Sequence, residues 1–139
     1  MNTFFDPVNN TAAVEQLNKE LGQDGGRTVL ISGCIDTQKV HISSAIASGY
    51  KYMLIVTSDE AKARKMCDDA SFFNREAIYY PAKDAIFYSA DVHGNQITGE
   101  RLRCISRIIN HSSTGEGVLT VVTTMDGIAD RLIPVERFK

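Results

Sequence analysis

Apolar and polar positions along this chain change their period several times, and each change marks an element. In "TAAVEQLNKELG" the apolar residues Ala13, Val14, Leu17 and Leu21 recur at helical spacing, with Thr11 as a cap and Gly22 as a stop. After the turn "QDGG", the run Thr28, Val29, Leu30, Ile31 has the character of a buried strand. A helix is predicted from about Thr37 to Ser48, burying Val40, Ile42, Ala45 and Ile46, and Gly49 ends it. "KYMLIVT" predicts a second strand. "SDEAKARKMCDDASFF" predicts a helix capped by Ser58 or Asp59, with acids in its first turn and Ala63, Met66, Ala70 and Phe73 on one face. "EAIYYPA" is a third strand closed by Pro81, and "KDAIFYSADVHGN" has no period. "QITGERLRCISRIINH" returns to helical spacing through Ile97, Leu102, Ile105, Ile108 and Ile109. "VLTVVTT" is a fourth strand, and "MDGIADRLIPVERF" a short helix that Pro134 terminates.

Strand and helix alternate throughout, so the predicted class is α/β: a three-layer αβα arrangement around a mainly parallel sheet of about four strands. Residues 1–10, polar and holding Pro7, Asn9 and Asn10, read as a flexible N-terminal segment. Residues 11–139 read as a single α/β domain. The chain stops directly after an element, at "PVERFK", and the expectation is a piece of a longer multidomain protein.

The stretch "LISGCIDTQKVHISSAI", residues 30–46, carries the candidate chemistry. A strand ending in glycine, then lysine six residues on, then a helix, is the layout of a phosphate-binding loop, G-x-x-x-x-G-K-[ST]. Gly33 and Lys39 occupy two of the four defining positions. Gln38 stands where a glycine lets backbone amides approach the β-phosphate, and Val40 stands where a hydroxyl would ligate magnesium. Asp36 adds a carboxylate inside a cradle meant for a triphosphate. No strand ends in an acid placed to hold magnesium, since Asp126 comes too late after Thr124. The expectation is a degenerate loop with no cofactor, no metal and no catalysis. Its plain structural role is a strand-to-helix turn with Asp36 or Thr37 as N-cap, leaving Lys39 an ordinary exposed helix residue.

Bulk properties narrow the field further. Apolar residues make up 43% and charged residues 23% of the chain, which supports a folded core and excludes disordered classes. The net charge of −2, without a basic stripe, disfavours nucleic-acid binding by this piece alone. The three cysteines, Cys34, Cys67 and Cys104, are odd in number and far apart, which suits reduced thiols and a cytoplasmic protein. The N-terminus has no signal-peptide pattern, and no apolar run approaches the roughly 18 residues of a membrane span. His41, His93 and His111 lack metal-type companions and read as surface or capping residues. Phe72, Phe73, Tyr79 and Tyr80 read as packing.

The segment "YYPAKDAIFYSADVHGNQITGERLRCISRI" adds a family pattern: Pro81, Ala82, Asp84, Tyr88 and Ser89, then Glu100, Arg101 and Leu102. Together with Val121, Thr123, Leu132 and Pro134, it resembles the N-terminal, UvrB-like region of bacterial transcription-repair coupling factors, over about residues 28–138. "ADVHGN" departs from the usual proline-bearing stretch, and the family's tryptophan near Asp84 is absent. The resemblance implies a fold like UvrB domain 1a, akin to a P-loop NTPase, in which the nucleotide site has been lost. It implies ATP and magnesium used by separate motor domains of the parent, an ATP-dependent DNA translocase. It also implies partners reached through that parent: its other domains, UvrA through the adjoining domain, RNA polymerase and DNA, with no membrane. Pro81, Asp84, Phe87, Tyr88 and Arg101 become candidates for contact with another domain. The alternative is an ATP-binding or DNA-binding helicase-like domain with a nonstandard loop.

Overall fold

The structure, a computed structural model, describes residues 4–22, 26–74, 76–83, 92–130 and 132. In chain order its elements are α1 (Asp6–Asn9), α2 (Ala12–Leu21), α3 (Asp36–Ala47), β1 (Tyr52–Thr57), α4 (Glu60–Phe73), β2 (Ala77–Tyr80), α5 (Val92–Thr114), β3 (Leu119–Thr124) and α6 (Met125–Ala129). The three strands form one parallel sheet in the order β1-β3-β2, with Tyr52 opposite Leu119 and Ala77 opposite Thr120. Parallel strands require crossovers, and α4 and α5 with their loops supply the chain between them.

Helices cover both faces of the sheet. Val40 of α3 and Ala63, Met66, Cys67 and Ala70 of α4 pack with Val122 on one face. Cys104 of α5 packs with Ile78, Tyr80 and Leu119 on the other, joined by Ile105 and Ile108. The central strand therefore has no solvent face: Leu119 and Val122 are both fully buried, which explains its unbroken β-branched run. The Asp59 carboxylate caps α4 by accepting from the Lys62 backbone N–H at 2.8 Å. That hydrogen bond, with a second from Ser58, holds the Asp59 carboxyl below the usual carboxylate range. At the other end of α4 the Asn74 side-chain amide donates to Val118 O and Thr120 Oγ1, tying the helix exit to the start of β3.

The sheet has three strands among the described residues, where the sequence pattern predicted about four. Residues 26–35 run without regular structure past α3, and no backbone hydrogen bond joins them to β1 among the described residues. Leu30 is 89% exposed, so the Thr28–Ile31 run is not a buried strand here. The reason is that an apolar, partly β-branched run makes a segment competent to pair, while a ladder also needs a partner edge at bonding distance. The opening segment also takes up structure. Phe5 is buried against Phe73 and His41, and residues 6–9 form the single turn of α1.

The junction of β3 and α6 is tight. Thr124 Oγ1 caps α6 by accepting from the Gly127 N–H, and Thr123 Oγ1 donates to Tyr80 O at 2.8 Å. A Cβ at Gly127 would lie 2.3 Å from Thr123 Oγ1. Alanine in a helix normally gains about 1 kcal/mol over glycine. Here overpacking, worth about 1–3 kcal/mol, opposes it. Gly127→Ala is expected to cost up to about 2 kcal/mol net in urea unfolding, and to cost less when Thr123→Ala is already present, since the clashing hydroxyl is then gone. A more stable Gly127→Ala protein would show that the junction has slack.

No helix among the described residues is long and apolar enough to cross a membrane.

Candidate functional site

Two places hold the residues that the sequence singles out. The first is the turn from residue 33 into α3. Gly33 has φ of 78°, a backbone conformation that favours glycine, and it bends the chain ahead of the helix. The N-cap is Ile35, rather than the expected Asp36 or Thr37, because Gln38 reaches back and accepts from the Ile35 backbone N–H at 3.1 Å. Ile35 has no side-chain oxygen to return the bond, so only half of a capping box is present. Thr37 instead donates its hydroxyl to Asp69 of α4 at 2.9 Å.

The carboxylate of the turn is shared by two lysines. Lys39 Nζ donates to Asp36 Oδ1 at 3.1 Å, and Lys62 Nζ lies 3.3 Å from Asp36 Oδ2. These contacts, Lys39 first and Lys62 second, hold the Asp36 carboxyl below its ordinary range. Lys39 is thus a half-buried, paired residue and not a free exposed one, as the sequence pattern had suggested. Val40 is fully buried in the core shared with α4. The position after the lysine therefore faces packing and not the mouth of the turn. The lysine and the carboxylate of the turn are thus engaged with each other, the Ile35 amide is taken by Gln38, and the position after the lysine is packed in the core. The Asp36–Lys39 spacing was readable as a helical pair; Lys62 and Asp69 have no local signal in the sequence.

The second place is the carboxyl edge of β2, where α/β sheets present their working loops. Arg101 of α5 is buried, and its guanidinium donates to Pro81 O at 2.7 Å and lies 3.3 Å from Asp130 Oδ2. Its guanidinium carbon sits 4.4 Å over the Tyr80 ring. Burial pushes the Tyr80 hydroxyl up, partly offset by the Arg101 charge, and that hydroxyl has no hydrogen-bond partner among the described residues. The structure thus joins Pro81 and Arg101, twenty residues apart in the chain. Asp84, Phe87 and Tyr88 lie outside the described residues, so their placement is not given. Asp130 was not singled out from sequence; its position at the end of a short helix carried no signal.

The remaining candidates are structural in placement. His41 stacks on Phe73 at 4.4 Å with its Nε2 2.8 Å from Phe4 O, and His111 is buried with Nε2 3.2 Å from Lys51 O. Cys67 and Cys104 are buried, and burial raises both thiols, so neither is poised as a thiolate. Phe73 and Tyr80 pack in the core, whereas Phe72 is 68% exposed and meets Phe4 edge-on. No group of three or more His, Cys, Asp or Glu side chains suited to a metal occurs among the described residues.

Fold and site together define a small parallel α/β domain with a charged, internally bonded turn ahead of its first long helix. No family model, curated protein or solved structure matches the chain.

Proposed function

We propose that this chain is a non-catalytic docking and regulatory domain from the UvrB-like N-terminal region of a transcription-repair coupling factor, working in the cytoplasm within a longer protein. Its partners are other domains of that parent, and through them UvrA, RNA polymerase and DNA. ATP and magnesium belong to the parent's motor domains. The observation that carries the non-catalytic half is the wiring of the turn: Gln38 occupies a helix-entry amide, Asp36 holds both Lys39 and Lys62, and Val40 is core. A polyphosphate would have to break these contacts and then bind beside a carboxylate. Support for docking comes from the opposite face. Leu54, Ile128 and Leu132 are 60%, 47% and 60% exposed around an apolar cleft of about 190 Å³ that Ile105, Ile108 and Val121 floor. Large exposed apolar patches mark interaction sites.

The test is thermal unfolding with and without millimolar ATP and magnesium. A site with a dissociation constant near 10 μM would gain about 2.7 kcal/mol at 1 mM ATP, a shift of several degrees. The expected outcome is an unchanged melting temperature for both the native chain and Lys39→Ala. A rise that Lys39→Ala abolishes would favour a nucleotide-binding domain instead. Micromolar binding to duplex DNA with a steep salt dependence would favour the DNA-binding alternative.

A further inference from the structure

Helical serines in this chain settle their hydroxyls on a carbonyl one turn back. Ser48 Oγ, at the end of α3, donates to Ala45 O at 2.7 Å. Ser71 Oγ of α4 and Ser113 Oγ of α5 donate to Cys67 O and Ile109 O. Ser44 of α3 departs from them. It is 4% exposed, and its Oγ has no hydrogen-bond partner among the described residues. A buried hydroxyl left without a partner is unfavourable, so its surroundings matter.

Ser44 lines a cavity of about 490 Å³ between α1, α3, the exit of α4 and the starts of β1 and β3. That volume falls in the range of small-molecule sites. Phe5, Ala47, Met53, Phe73 and Val118 give it apolar walls. Part of its polar lining is already spent inside the chain. Ser48 bonds to Ala45, and the Asn74 amide donates to Val118 O and Thr120 Oγ1 while its oxygen accepts from the Glu76 N–H. Asp6, Asn9 and Ser44 are left to meet a ligand. Neither Asp6 nor Asn9 has a side-chain hydrogen bond or ion pair among the described residues, and among these Asp6 carries the only charge in the lining.

We propose that this cavity binds a small organic amine: one positive charge on a compact apolar body that also bears a hydrogen-bonding group. The ammonium pairs with the Asp6 carboxylate, and the body lies between the apolar walls, where aromatic rings also attract a cation. The polar group reaches Ser44 Oγ, which can donate or accept. An anion would find no cation in the lining and would sit beside a like charge. A neutral, wholly apolar guest would leave Ser44 unsatisfied and desolvate Asp6 without compensation. The cavity shares no residue with the docking cleft or with the charged turn ahead of α3, so either reading can fail alone.

The probe is tyramine, which joins an ammonium, an apolar ring and a hydroxyl. It is titrated into the 139-residue chain while backbone amide signals are followed by NMR. Saturable shifts are expected at Ser44, Ala47, Phe73 and Asn74, with a dissociation constant that is millimolar or tighter. Hydroxyphenylpropionate, with a carboxylate in place of the ammonium, and para-ethylphenol, with no charge, should bind far more weakly. Asp6→Asn should weaken tyramine about tenfold or more, the loss of one charge-assisted contact. Ser44→Ala should weaken tyramine and leave phenethylamine, which lacks the hydroxyl, unchanged. Alanine is the better helix former and removes an unpartnered group, so this variant keeps the fold, which urea unfolding checks. The proposal is overturned if millimolar tyramine gives no saturable shift, or if either uncationic analogue binds as well as tyramine. Unchanged tyramine affinity in Asp6→Asn or in Ser44→Ala overturns it too, because the amine would then sit elsewhere.

Discussion

Val40→Ser, which places a hydroxyl at the position after Lys39, will lower stability by about 2–4 kcal/mol and will not create a magnesium site. Val40 is fully buried between α3 and α4, packed with Ala63, Met66, Ala70 and Val122. The substitution removes two methyl groups from a close-packed core and leaves a smaller polar group in their place. The new hydroxyl can return a bond to a carbonyl one turn back, so the penalty stays below that of an orphaned polar group. Urea unfolding with an unchanged slope is the measurement. If Val40→Ser lost less than about 1 kcal/mol and gained stability from magnesium and ATP, the position would have to face the turn, and the non-catalytic proposal would lose its main support.

Arg101→Met will cost about 1.5–3 kcal/mol, the range for hydrogen bonds to a charged group. Methionine keeps most of the aliphatic stem, so the loss reports the guanidinium: the bond to Pro81 O, the contact with Asp130 and the stacking over Tyr80. The Asp130 side chain is 31% exposed, so water rehydrates it after the change and the full penalty of an unpaired buried charge does not arise. Arg101→Lys should recover little, because an ammonium cannot both stack flat on the Tyr80 ring and fork between two acceptors. Equal stability of the Lys and native proteins would reduce the site to simple charge pairing.

Much of this architecture was legible from periodicity. The stretches that became β1, β2 and β3 were short apolar runs bounded by turn residues, and α4 announced both its cap and its apolar face. Of the four residues expected to be buried on α3, Val40 and Ala45 are, while Ile42 and Ile46 are only partly buried. The strand expected at Thr28–Ile31 failed for a physical reason: a short apolar run is competent to be a buried strand, and only a neighbouring strand supplies the bonds. The cap of α3 was misassigned because Asp and Thr outrank isoleucine as N-caps, whereas here the amide of Gln38 does the capping from inside the helix. Lys62 and Asp69 reached the turn only through packing of α4 on α3, information that no linear spacing contains. The Pro81–Arg101 contact was not expected: both residues were candidates for contact with another domain, and nothing in the linear spacing joins positions twenty residues apart.

The strand order has a consequence for synthesis. The middle strand is the last of the three to leave the ribosome, since β3 ends at Thr124 while β1 and β2 are complete by Tyr80. Until it emerges, neither earlier strand has its ladder, and the nascent polypeptide carries two uncharged, sticky segments with nowhere to go. Docking of the final strand then closes both pairings in one step. Folding of this domain is therefore late and all at once, and a ribosome paused before residue 119 would hold a chain that only a chaperone keeps from self-association.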